Sequence, residues 1–173
     1  MFLTSFQLHL HNLTHFNNKI HTIMKEGIVL LMVYLLSTFT TLHAQQQGWF
    51  INKTEAHAYA LEHKVPVLYV FAGSDWCKPC IQLKQTILLS DTFKAYYPTR
   101  MAILYLDFPQ QKKNELSPEL KKQNDALAAQ YNKSGYFPYL VVVDSSGKAI
   151  GNLYFKHQTS VEFIQQFETI QPN

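Results

Sequence analysis

Cys77 and Cys80 stand three residues apart in Trp76-Cys77-Lys78-Pro79-Cys80, and the chain has no other cysteine. Such a pair can exchange electrons as a dithiol, staple the fold, or supply half of a metal site. On a helix, positions i and i+3 share a face, so the two sulfurs can join with little backbone movement. If a helix begins at Cys77, its unpaired N–H groups and its dipole favour the thiolate, and Lys78 adds a positive charge nearby. Cys77 is then the nucleophile that attacks a disulfide in another molecule. Cys80, further inside, resolves the mixed disulfide. A staple closing so small a ring contributes only about 2 kcal/mol in the chain-entropy model and ties no distant segments together. A metal site lacks a second cysteine pair, and His57, His63 and His157 lie at no recognisable ligand spacing to the motif. The dithiol reading leads, with no metal and no small cofactor required.

The motif needs a buried strand before it and a helix after it. Residues 65–72 (VPVLYVFA) are a nearly continuous apolar run rich in β-formers, as suits a central strand covered on both faces. Gly73-Ser74-Asp75 breaks the run, and a helix is predicted from about Cys77, with Ile81, Leu83, Ile87 and Leu88 as its apolar side. Upstream, Asn52 followed by Glu55 resembles a capping box, which predicts a helix over 53–63. Downstream, a short helical piece starts at Asp91-Thr92, and residues 101–108 (MAILYLDF) read as a second buried strand. A polar loop follows over 109–116. Ser117-Pro118-Glu119 opens a long helix: a cap, a proline at the first position, and an acid near the positive end of the dipole. A strand at 139–143, a turn at Asp144-Ser145-Ser146-Gly147 and a return strand over 148–155 make a hairpin. Thr159 with Glu162 caps the last helix, and residues 48–51 add a short first strand. This order is α/β, with early strands made parallel by helical crossovers and an antiparallel edge from the hairpin.

Composition sets the outer limits. The chain has 173 residues, 47% hydrophobic and 16% charged, with a net charge of +3. That is globular, of a length for one domain, and too weakly basic to show a nucleic-acid footprint. Two cysteines exclude a multi-disulfide framework and a four-cysteine zinc site. Residues 28–36 (IVLLMVYLL), with Lys25 before them and Ala44 after, read as the core of a signal peptide over 24–44. Leu42 is large for a cleavage site, which leaves an uncleaved N-terminal anchor as the minority alternative. Residues 1–23, with His9, His11, His15 and His21, read as an upstream extension rather than a ligand set, because no fixed geometry supports one. The folded domain is expected over 45–173. No heptad and no large apolar stripe suggests assembly, so a monomer is expected.

Residues 48–173 resemble the thioredoxin superfamily, most nearly the exported thioredoxin-like oxidoreductases of the bacterial envelope. The resemblance is carried by VPVLYVFA, by WCKPC, by Gly135-Tyr136-Phe137-Pro138-Tyr139, and by Ser90-Asp91 after the motif helix. It implies a thioredoxin-like α/β fold with a central mixed sheet, helices on both faces, and a C-terminal hairpin plus helix. It implies a cis Pro138 beside the cysteine pair, Phe137 offering its backbone to an extended substrate, and Trp76 either flanking the site or packing in the core. Pro79 before the second cysteine resembles the reducing members, so the expected activity is reduction of disulfides in exported proteins. Expected partners are exported disulfide- or thiol-containing proteins and a membrane electron donor. A disulfide isomerase or oxidase, or a non-catalytic binding module, are the alternatives. Two departures stand out. Family members usually carry a buried acid six residues before the first cysteine, where this chain has Phe71, which leaves water or Lys84 to take the proton of Cys80. Gly73 replaces the usual aromatic, which implies a more open rim.

Overall fold

The structure, a computed structural model, describes residues 47–170. The expected extension over 1–23 and signal peptide over 24–44 lie outside the described residues. The elements are β1 (Trp49–Phe50), α1 (Lys53–His63), β2 (Val67–Ala72), α2 (Lys78–Leu83), α3 (Asp91–Tyr96), β3 (Ala102–Asp107), α4 (Pro118–Tyr131), β4 (Tyr139–Val143), β5 (Ala149–Leu153) and α5 (Ser160–Glu168). They form a five-stranded sheet in the order β1-β3-β2-β4-β5. β3 runs parallel to both β1 and β2, β4 runs antiparallel to β2, and β5 runs antiparallel to β4. The expected thioredoxin-like architecture is present.

β2 lies in the middle of this sheet, and all six of its residues are buried. Its side chains alternate between two cores, as a pleated strand requires. Leu68, Val70 and Ala72 join Cys77, Cys80, Leu83, Phe93 and Phe163 on one face. Val67, Tyr69 and Phe71 join Ala56, Ala60, Leu104 and Leu127 on the other. A strand with two buried faces has no polar phase, which is why the sequence shows an unbroken apolar run there.

The helix starts follow their capping residues. The Asn52 side chain accepts from the N–H groups of Thr54 and Glu55, and Ser117 accepts from Leu120 N–H. Thr159 and Glu162 form a reciprocal capping box. Strand ends differ slightly from the expected ranges, and the hydrogen bonds give the reason. Val65 N–H donates back to Ala60 O at the end of α1, and Pro66 has no N–H to offer a ladder, so β2 begins at Val67. At the other hairpin, Tyr154 N–H turns to Gln166 Oε1, so β5 stops at Leu153. The helix after the motif also changes pitch: α2 passes into a π-type turn over Lys84–Leu88.

A polar network crosses the second core. His57 Nε2 and Tyr69 Oη share a hydrogen bond of 2.6 Å, and Tyr131 Oη donates to Gly147 O at 2.6 Å. Burial holds the His57 imidazole below its ordinary pKa, with Lys53 adding to the effect. The folded state therefore binds this proton less readily than the unfolded chain. Stability is fully present above the unfolded value of about 6.5 and is lost as pH falls from there toward the lower folded pKa. The urea midpoint is expected to drop between pH 7.5 and pH 5.5, a window above the carboxylate range, and His57→Gln is expected to flatten that slope. An unchanged slope in the variant would assign it to another group.

Candidate active site

The site forms where β2 ends and α2 begins. Cys77 is the N-cap of α2, with extended backbone, and its Sγ accepts from Cys80 N–H at 3.3 Å. Pro79 occupies the first turn and contributes no N–H, so the Cys80 amide is the donor aimed back at the sulfur. The two cysteines are joined in a disulfide with an S–S distance of 2.06 Å and a Cα–Cα distance of 5.2 Å. Cys77 is 5% exposed and Cys80 1%, so both are buried and Cys77 is the less buried of the two. Lys78 and Pro79 are exposed beside them.

Trp76 and Phe137 meet beside the core that holds the cysteines. The Phe137–Pro138 peptide bond is cis. The Phe137 ring packs against the core that holds both cysteines, and meets the Trp76 indole edge-on at 5.5 Å. Trp76 is 40% exposed, so it flanks the site and is not core filling. Its Nε1 donates to Phe108 O at 2.8 Å. Tyr136, just before Phe137, is 73% exposed, and its carbonyl accepts from the buried Asn132 side chain.

The rim is not open at Gly73. A Cβ at that position would overlap the Trp76 indole, so the ring from three residues downstream fills the space expected to stand empty without an aromatic at position 73. Phe71 is fully buried, between Leu106 and Tyr139 in the sheet register, with its ring against Phe108 and Tyr139. The place of a buried carboxylate is thus taken by an aromatic stack that continues through Phe108 to Phe137. Lys84 lies over the Tyr105 ring at 5.0 Å, a cation–π contact.

Sequence reasoning did not single out the residues that frame the motif. Asp107, at the end of β3, accepts from Ser74 N–H at 2.9 Å and Ser74 Oγ at 2.6 Å. Asp75 accepts from Gln110 N–H, Gln111 N–H and Asn114 Nδ2 at 2.9, 3.0 and 2.9 Å. These bonds, that from Gln110 foremost, hold the Asp75 carboxyl below its ordinary pKa. The partners are separated by 33 to 39 residues, so no local pattern announces them. Beside this frame lies a cleft of about 350 Å³, walled by Phe108, Gln110, Lys112, Leu116, Asn124 and Asp125. Among the described residues no group of three His, Cys, Asp or Glu side chains is placed to hold a metal ion.

The family model of the thioredoxin-like domain matches residues 53–167. The chain is similar to the disulfide bond reductase DsbH of Chlamydia pneumoniae, 34% identical over 119 residues that cover 66% of this chain and 70% of that protein. It is similar to the thioredoxin-related protein DsbJ of the same organism, 23% identical over 133 residues, 73% of this chain and 37% of the other. Among solved structures, a DsbH oxidoreductase superposes with a TM-score of 0.64 at 30% identity, over 69% of this chain and 81% of that one.

The contact between Gly73 and Trp76 is testable. Gly73→Ala is expected to push the indole off its seat, break the bond to Phe108 O, and cost about 1–3 kcal/mol by overpacking. The readouts are a red shift of tryptophan emission and a lower melting temperature. Unchanged emission would show that the ring does not lie over Gly73.

Proposed function

The chain belongs to the thioredoxin-like family and is a thiol–disulfide oxidoreductase, and on that premise we propose that it works as a reductase of disulfides in exported proteins. The observation that carries this reading is Cys77 as N-cap, its sulfur accepting the Cys80 amide at the mouth of α2. A thiolate there is stabilised by the N–H groups and the dipole of the helix end.

In the reduced protein, the Cys77 thiolate attacks one sulfur of a substrate disulfide. A Cys77–substrate bond forms, the substrate S–S bond breaks, and its other sulfur leaves as a thiolate that takes a proton from water. Cys80 then gives up its proton and attacks Cys77 Sγ. The Cys77–Cys80 disulfide forms, the mixed disulfide breaks, and the substrate departs as a dithiol with two electrons gained. The disulfide seen between Cys77 and Cys80 is the product state of that cycle. A dithiol donor at the membrane returns the two electrons. Trp76 and the Phe137–Pro138 segment give the approaching chain an apolar wall and a backbone edge. With Phe71 buried among aromatic rings, water is the acceptor for the Cys80 proton.

The reducing direction is supported by Pro79 within the motif and by the name of the disulfide bond reductase to which the chain is similar. Export is supported by the apolar run over 28–36. Among the described residues no helix is long and apolar enough to cross a membrane.

Two variants test the mechanism. Cys77→Ser is expected to abolish insulin reduction with dithiothreitol as donor, whereas Cys80→Ala is expected to accumulate a mixed disulfide through Cys77 that dithiothreitol releases. Equal rates for Cys77→Ser and wild type would overturn the mechanism. A midpoint potential well above about −200 mV, in the range of isomerases and oxidants, would overturn the reducing direction.

A further inference from the structure

The loop after β3 runs through residues 108–116 with little structure of its own beyond a short 3-10 turn at Lys112–Asn114. Phe108 N–H is held by Ala72 O at the end of the sheet. Pro109 then interrupts the chain of donors. Across residues 110–114, every hydrogen bond that reaches another part of the described domain ends on Asp75. Three go to its carboxylate, and Gln111 Nε2 donates to its carbonyl at 3.3 Å. An exposed polar segment such as 110–114, whose long-range hydrogen bonds all end on one residue, has the conformation that this residue imposes.

The attachment has a consequence one residue along the chain. Trp76 follows Asp75 directly, and its Nε1 donates to Phe108 O. The direction of that carbonyl is set by the 108–109 peptide plane, whose far side leads straight into the segment Asp75 holds. The indole is otherwise seated by Gly73 beneath it and the Phe137 edge beside it. Asp75 is therefore at one end of a closed circuit: carboxylate to loop, loop carbonyl to indole, indole to backbone and back to Asp75.

Resting on the reductase reading above, we propose that Asp75 is a positioning residue, which fixes the 108–114 loop and through Phe108 O holds the Trp76 indole as a rigid wall for the substrate chain. Asp75 does not touch the reacting sulfurs. It acts on binding of the protein disulfide and leaves the electron-transfer chemistry of the dithiol alone. Its carboxylate suits the task because two oxygens can receive three convergent N–H donors, and bonds to an ionised acceptor are stronger than neutral ones.

The test is a double-mutant cycle in a Trp49→Phe background, so that emission reports Trp76 alone. Asp75→Ala is expected to raise KM for insulin about tenfold, the scale of one charge-assisted hydrogen bond, with kcat and the midpoint potential of the Cys77/Cys80 couple unchanged. Emission of Trp76 is expected to shift to the red. In a Trp76→Ala chain, adding Asp75→Ala is expected to change KM no further. Asp75→Asn, which keeps one acceptor oxygen and the same shape, is expected to fall between wild type and Asp75→Ala in both readouts. It remains informative if the alanine variant fails to fold. The proposal is overturned if Asp75 substitution leaves emission unshifted, if it alters the midpoint potential, or if it lowers kcat/KM by the same factor with and without Trp76. Failure of the reductase reading is a separate result: it appears in Cys77→Ser and in the potential, while the emission shift of the Asp75 variants does not depend on it.

Discussion

A sulfur serves as the N-cap of a helix in this protein, and the rest of the site depends on that choice. Helix starts are normally capped by an oxygen from Ser, Thr, Asp or Asn, as α1, α4 and α5 are here. Cys77 puts a poorer acceptor in that place, at 3.3 Å from the Cys80 amide. A neutral thiol caps weakly and a thiolate caps well, so on the proposed mechanism the helix end favours ionisation of the attacking sulfur. For this to work, the turn between β2 and α2 has to deliver the sulfur to the start of the helix and hold its partner behind it. Cys80 achieves the second by lying on the buried side of α2, with Leu83, Ile87 and Leu88 along the same core.

The burial of β2 on both faces follows from the same requirement. A turn that carries chemistry must not shift, and a strand hydrogen-bonded on both sides and packed above and below is the stiffest base available. Phe71 belongs to this base. The ring stands where the family resemblance implies a carboxylate, and its contacts with Phe108 and Tyr139 place it in the aromatic series that reaches Phe137. A carboxylate in that setting would be desolvated and without a partner. Proton removal and aromatic packing thus compete for one position, and here packing has won.

Much of this was legible in the residues. The starts of α1, α4 and α5 could be placed because capping is local: Asn52, Ser117-Pro118 and Thr159 with Glu162 act within three residues of themselves. The central strand was legible because an apolar run this short, with no polar phase, suits little except a strand buried on both faces. The cysteine pair was legible because its spacing and its place between strand and helix are both written in one short stretch. β1 was barely visible, since two residues paired to β3 leave almost no pattern. Asp75 and Asp107 were invisible as parts of the site. A polar residue after a strand looks the same whether it meets solvent or a loop more than thirty positions away, and only the fold decides which.

Gly73 shows why reading one position at a time fails at such a site. The absence of a side chain there suggested an open rim, because a comparison by position asks what each residue lacks. The backbone of Gly73 is not in the left-handed region that would demand glycine. What demands it is the Trp76 indole, which needs the volume of a missing Cβ in order to lie flat, reach Phe108 O and meet Phe137. The small residue and the large one are a single feature split across three positions. An aromatic side chain at 73 would cover the same surface from a strand end, with its orientation set by β2. The indole covers it from the residue next to Cys77, and its orientation is set by the loop after β3. The shape of the rim is thereby tied to that loop, and the loop in turn to the residue that precedes the tryptophan.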